Sequence, residues 1–137
     1  YGRLPLAFSA RCFTARHYDL PKDDCRFCCL DHPGGLELAT REREPFLVLN
    51  GIQTQSYRVL NLADVLPDMR ALGVDAVRLS PQPERMDEVI AAFRASLDGA
   101  ALTSITALLA AAQLAPACNG YWHGRPGLDY VACGAAA

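Results

Sequence analysis

Six cysteines, Cys12, Cys25, Cys28, Cys29, Cys118 and Cys133, are the residues of this 137-residue chain best equipped for chemistry, and four of them fall between positions 12 and 29. The spacing reads C-x(12)-C-x(3)-C through Cys12, Cys25 and Cys29, and Cys28 offers a competing C-x(2)-C. Thiolates this close along a chain can turn inward onto one ion or cluster. Spacing alone does not separate zinc from iron–sulfur, and reduced structural thiols are a third reading. An even cysteine count also fits the disulfide framework of a small secreted domain. Against that, the opening YGRLPLAFSARC lacks the ordered basic region, apolar run and cleavage site of a signal peptide, and adjacent Cys28 and Cys29 are awkward for mutual bridging.

Arg11, Arg16, Lys22 and Arg26 surround these thiols and would offset the negative charge of a thiolate-bound centre, or simply solvate the loop. Asp23 and Asp24 precede Cys25 and suit a helix cap as well as any chemical role. His17, His32 and His123 stand singly and read as surface or satisfied polar groups before ligands. Asn50, Gln53 and Thr54 come just after an apolar run, where loops after strands carry function. Arg78 sits within another apolar run and, if that run is buried, needs a counter-charge or a polar cavity. Asn119, Tyr121 and Trp122 read as packing residues, and Cys118 and Cys133 as unliganded thiols, small apolar groups in effect.

The elements that must position these groups are set by hydrophobic periodicity. Leu4–Ser9 reads as a strand with Pro5 near its start, and Phe46–Leu49 as a strand buried on both faces, closed by Asn50-Gly51. Leu62, Val65, Leu66, Met69 and Leu72 recur at helical spacing, with Pro67 opening the helix proper and Gly73 ending it. Val74–Leu79 reads as a second buried strand, and Met86, Val89, Ile90, Phe93 and Leu97 mark one face of a further helix. Strand, helix, strand, helix predicts an α/β fold with parallel crossovers. Three strands cannot close a barrel, and a complete one takes on the order of 250 residues. The expectation is therefore one partial domain over 1–137, the C-terminal part of a TIM-like (β/α) barrel with about three parallel strands and flanking helices. It carries a cysteine-bearing loop over 10–35 and an alanine-rich helix over 99–115.

Composition narrows the function classes. Thirteen Lys+Arg against 15 Asp+Glu leave a formal charge of -2 with no basic stripe, which argues against a nucleic-acid partner. With 51% apolar and 20% charged residues, the composition is that of a globular chain and not a disordered one. The charge-free stretch from Gly99 to Gly124 is mostly alanine, interrupted by Thr103, Ser104, Thr106, Gln113 and Pro116, and reads as a packed helix and not a membrane span. A cytoplasmic location is expected. No G-x-S-x-G elbow or H-E-x-x-H helix is present, so proteolysis is not expected.

The segments GRLPLAFSARCFTARHYDLPKDDCRFCC, FLVLNGIQTQS, VRLSPQ and CNGYWHGRPGLDY together resemble the collagenase-like peptidase superfamily, and within it the branch serving oxygen-independent ubiquinone biosynthesis. The resemblance covers nearly the whole chain. It implies a TIM-like barrel and a 4Fe-4S cluster held by four cysteines. Three of these match Cys12, Cys25 and Cys29, with Cys28 a spectator. The fourth would come from an amino-terminal half that this sequence lacks, with Cys118 as the alternative. It also implies a heterodimer with a homologous UbiU-like subunit that hydroxylates a ubiquinone precursor without oxygen, with prephenate as oxygen donor. An RNA-modifying hydroxylase of the same superfamily and a zinc-bound or cluster-free scaffold are the alternatives.

Overall fold

Only Gly51 and Ile52 separate the run Pro45–Asn50 from Gln53–Leu60, far too short a link for a parallel crossover and the right length for a tight hairpin. The structure, a computed structural model that describes residues 1–132, folds accordingly. The chain divides into two compact units, one spanning Arg3–Arg58 and the other comprising Tyr1–Gly2 with the residues from Val59 onward.

The first unit contains β1 (Gly2–Phe8), α1 (Phe13–His17), a 3₁₀ turn over Cys28–Asp31, β2 (Leu36–Ala39), β3 (Pro45–Asn50) and β4 (Gln53–Leu60). The strand order is β1-β4-β3-β2. β2 and β3 are antiparallel, with Leu36 opposite Leu49, and so are β3 and β4, where Leu47 faces Ser56 and Asn50 faces Gln53. Gly51 supplies the positive φ of +58° that the hairpin turn needs. Ser56 stitches β1 to β4: its buried hydroxyl accepts from the Leu4 N–H at 2.9 Å and donates to the Arg58 carbonyl at 2.8 Å. Pro5, next along β1, has no N–H to offer.

The expected portion of a TIM-like barrel with about three parallel strands is thus replaced by a five-stranded, largely antiparallel sheet. A parallel pair does form, but it spans two residues, Val59 opposite Ala117 and Leu60 opposite Cys118, joining the end of β4 to β5 (Ala117–Cys118). The run expected to be buried on both faces is buried unevenly: Val48 is fully buried, Leu47 and Leu49 are half-buried, and Phe46, on the same face as Val48, is exposed.

The second unit holds α2 (Leu66–Ala71), α3 (Met86–Leu97), α4 (Leu102–Ala112) and β5. Pro67 opens α2 at its first turn, where its missing N–H costs nothing, and Gly73 at φ +87° ends it. The expected strand over Val74–Leu79 does not form. The Val74 N–H closes the end of α2 onto the Met69 carbonyl at 3.0 Å, and Val74 and Val77 are exposed. Arg78 is exposed as well, so the counter-charge expected for a buried strand arginine is not needed.

α3 packs on α4, and their buried side chains include Val89, Ala92, Phe93, Ile105 and Leu109. The Phe93 ring meets Tyr1 edge-on at 5.7 Å. The alanine-rich helix is shorter than the expected 99–115, because Gly99 at φ +88° sits in the turn that ends α3. Gln82 donates to the Ala112 carbonyl at 2.9 Å and so caps the far end of α4. Among the described residues, no helix is long and apolar enough to cross a membrane.

Candidate functional site

The four clustered cysteines lie in the unit Arg3–Arg58, on a loop pinned at both ends. At the upstream end, the Phe13 N–H donates to the Gly51 carbonyl at 2.7 Å and the Ser9 N–H to the Ile52 carbonyl at 2.8 Å. The tip of the β3–β4 hairpin therefore holds Cys12 in place. Thr14 and Ala15 of α1 are buried beneath it, and α1 packs on β3. Cys12 itself is the residue before α1, and its side chain makes no capping bond.

At the downstream end, an Arg3 Nη donates to the Gly34 carbonyl at 2.7 Å and the Gly35 N–H to the His32 carbonyl at 2.8 Å. Arg3 is half-buried with its Nε unpartnered, and burial pulls its guanidinium below the usual range, an effect that Glu37 and Tyr57 oppose. Gly35, at φ +78°, admits no side chain, since a Cβ would lie 2.5 Å from Val48 Cγ1. Gly35→Ala is expected to cost about 2 kcal/mol of stability, read by urea denaturation of the metal-free chain. An unchanged midpoint would show that the loop is not held there.

Between these anchors the chain reverses twice. The Asp24 N–H reaches the Pro21 carbonyl at 3.3 Å, and the Cys28 N–H reaches the Cys25 carbonyl at 3.2 Å. Arg26 and Phe27, the central residues of the second turn, both sit at φ +51°. Non-glycine residues rarely enter the left-handed region, and two in succession are costly unless their surroundings demand it. The 3₁₀ turn Cys28–Asp31 comes next and packs on α1, which brings Cys28 and Cys29 back toward Cys12. All four thiols are half-buried. Desolvation, and then repulsion from thiolates at Cys12, Cys25 and Cys29, push the Cys28 thiol above its usual range.

The donor set is thus four soft thiols on one short segment, the chemistry that zinc and iron–sulfur centres use. As placed, however, no group of three His, Cys, Asp or Glu side chains among the described residues is gathered tightly enough to hold a metal ion. The thiols are neighbours without being a closed coordination shell.

Arg11, Arg16, Lys22 and Arg26 are all exposed around this loop. Among the described residues, Arg26 is the one of these four drawn toward a carboxylate, Asp24, at 3.8 Å and well exposed, a pair worth little. Neither Asp23 nor Asp24 caps a helix, because Phe27 occupies the capping position of the 3₁₀ turn. His32 stands alone in the sequence, yet its Nε2 pairs with the Tyr18 hydroxyl at 2.6 Å and the two rings stack at 5.7 Å. His17 packs edge-on against Tyr18 at 5.0 Å. The Cys–Cys–x–x–His order is the available signal for a polar neighbour at His32, and Tyr18 carries none.

The other candidates serve structure. Asn50, Gln53 and Thr54 close the hairpin: Asn50 faces Gln53, Thr54 faces Leu49, and the Gln53 side chain accepts from Gln55 at 2.7 Å. Asn119 is fully buried and grips Val131 like a strand partner, donating to its carbonyl at 2.9 Å and accepting its N–H at 2.7 Å. Tyr121 and Trp122 are exposed and close no barrel end, and His123 is exposed beside them. Cys118 is buried in β5 of the second unit. Cys133 lies outside the described residues.

No protein-family model matches the chain, and no solved structure matches it.

Proposed function

We propose that the cysteine loop binds a 4Fe-4S cluster and that the chain is the cluster-bearing subunit of an oxygen-independent hydroxylase in ubiquinone biosynthesis. In this reading it works in the cytoplasm as a UbiV-like protein paired with a homologous UbiU-like subunit. The complex takes a ubiquinone precursor ring, with prephenate as the oxygen donor. The observation that carries the cluster assignment is the return of the 3₁₀ turn onto α1, which brings Cys28 and Cys29 toward Cys12 while the preceding turn joins Cys25 to Cys28. The sequence segments that resemble the superfamily support the pathway assignment, and the antiparallel sheet gives it no help.

Within that function, Cys12, Cys25 and Cys29 hold the cluster as thiolates. A bound cluster supplies one-electron chemistry. Arg11, Arg16, Lys22 and Arg26, all exposed around the loop, offset its negative charge. Tyr18 fixes the ring of His32 at the exit of the loop, leaving Nδ1 as that ring's remaining polar atom.

The test is iron, acid-labile sulfide and zinc content with an absorption spectrum, on protein purified and reconstituted without oxygen. The expected result is a brown protein with about four iron and four sulfide per chain. Zinc alone, or no metal after reconstitution, would overturn the proposal.

A further inference from the structure

We infer that Cys25 and Cys28 are a reversible dithiol–disulfide pair: in the metal-free chain they react with a small-molecule disulfide and close a bridge across the turn that joins them. The bridge rests on the loop alone, and its consequence for cluster assembly rests on the proposed function.

Among the described residues no three ligand groups converge, but one backbone turn brings two thiols together. The Cys28 N–H closes Cys25-Arg26-Phe27-Cys28 on the Cys25 carbonyl at 3.2 Å, and such a turn keeps its end Cα atoms within about 7 Å. Disulfides span Cα separations of roughly 4.4–6.8 Å, so the two ranges meet. Arg26 and Phe27 are both at φ +51°, the left-handed sense of the type I′ turns that close β-hairpins. Residues flanking a turn of that sense stand opposite each other with their side chains on one face. Opposed residues keep Cβ atoms about 4.5–5.5 Å apart, against roughly 3.5–4.5 Å in a disulfide, so this bridge carries some strain and is readily reduced.

The other pairings are less favoured. Cys28 and Cys29 are adjacent, too close along the chain for an unstrained bridge. Cys12 sits on a different element, held by the Phe13 N–H on the Gly51 carbonyl at 2.7 Å, so bridging it moves two elements and not one turn. Cys118 is 2% exposed in the second unit. Cys25 and Cys28 are half-buried, and between them Phe27 is 72% exposed, so a small disulfide reaches the pair. One protein thiolate attacks a sulfur of that disulfide, making a mixed disulfide and expelling one small thiolate. The second protein thiolate attacks the protein sulfur of the adduct, forms the Cys25–Cys28 bond and expels the other. The two protein thiols thereby give up two electrons and two protons, and one small disulfide becomes two small thiols. Under the proposed function the bridge takes Cys25 out of the ligand set, so the oxidised chain holds no cluster until a thiol reduces it.

The test treats the metal-free chain with glutathione disulfide, blocks the remaining thiols with N-ethylmaleimide and maps tryptic peptides by mass spectrometry without reduction. Trypsin cuts after Lys22, Arg26 and Arg41, so the bridge appears as residues 23–26 joined to residues 27–41. This species is expected to rise at least tenfold over the untreated chain, to vanish with dithiothreitol, to persist in Cys29→Ser and to be lost in Cys28→Ser. Linkage through Cys12, persistence in Cys28→Ser, or glutathione adducts with no bridge would overturn the inference. So would six thiols left unreacted. The chain reconstituted with iron and sulfide is expected to form the bridge at least tenfold more slowly. A brown chain that bridges as fast as the metal-free one would remove Cys25 from the proposed ligand set and leave the bridge standing. Failure to take up iron, with the bridge formed in the metal-free chain, would remove the proposed function and leave the bridge standing as well.

Discussion

Cys12→Ala is expected to cost the anaerobically reconstituted chain at least nine-tenths of its iron and sulfide, the largest effect of any single loop substitution. The reason is placement. Of the proposed ligands, Cys25 and Cys29 sit within one pair of turns beside Cys28, a spare thiol that can partly replace either. Cys12 enters from the far side of the loop and has no cysteine beside it in the chain. Its backbone is also the best anchored, with the Phe13 N–H on Gly51 and with Thr14 and Ala15 buried beneath it, so no other group can swing into its place. A metal centre's binding free energy depends on every ligand being deprotonated and in reach, and losing the one rigid ligand removes both conditions. Iron content in Cys12→Ala and Cys118→Ala, measured side by side, checks this. Retention of more than half the iron in the former, or equal loss in both, would mean that the cluster is not built on this loop.

Asn119→Ala is expected to destabilise the chain by about 3 kcal/mol, which is large against the roughly 5–15 kcal/mol that holds a typical domain together. Asn119 is fully buried and satisfies both the N–H and the carbonyl of Val131. Its own N–H and that of Gly120 both donate to the Asp129 carbonyl, at 2.9 and 3.0 Å. Alanine would leave two main-chain groups of Val131 without partners and a small cavity besides. Asn119→Asp makes the sharper control. It can still accept from the Val131 N–H, but it presents a second carboxylate oxygen to the Val131 carbonyl and places a charge where water is excluded, so it is expected to be no better than alanine at neutral pH. Urea denaturation of the three proteins decides the matter. A loss under about 1 kcal/mol for alanine would show that residues 129–131 are not clamped as described.

The helices are legible in the sequence because their signals are local. Pro67 and Gly73 bracket α2, and of the face expected for α3 Val89 and Phe93 are buried while Ile90 and Leu97 are exposed. The Asn50-Gly51 turn is legible too. The strand on its far side is not, because β4 begins Gln-Thr-Gln-Ser, four polar residues that are half-buried or buried and that look like a loop until their partners are known. Ser56 becomes a core residue only because Leu4 and Arg58 satisfy its hydroxyl. Conversely, the apolar run after Gly73 has the composition of a strand, and exposed Val74 and Val77 show that hydrophobicity without a pairing partner does not make one. At the candidate site, cysteine spacing along the chain announces the thiols. The device that positions Cys12, a hydrogen bond from Phe13 to the tip of a distant hairpin, is non-local and leaves no trace in spacing.

The unit that carries the four thiols is one unbroken stretch, Arg3–Arg58, and this sets the order of events during synthesis. Its β3–β4 hairpin closes over two residues, and hairpins of that kind form in about 1–10 μs. β5, by contrast, reaches the end of β4 from position 117, and everything between must first be translated at about 5–20 residues per second. The thiols are therefore in place, with their hairpin support, seconds before Asn119 can close on Val131. Over that interval the half-buried cysteines of the nascent chain are held on a folded unit while the remainder is still being translated, so the loop's chemistry precedes completion of the second unit.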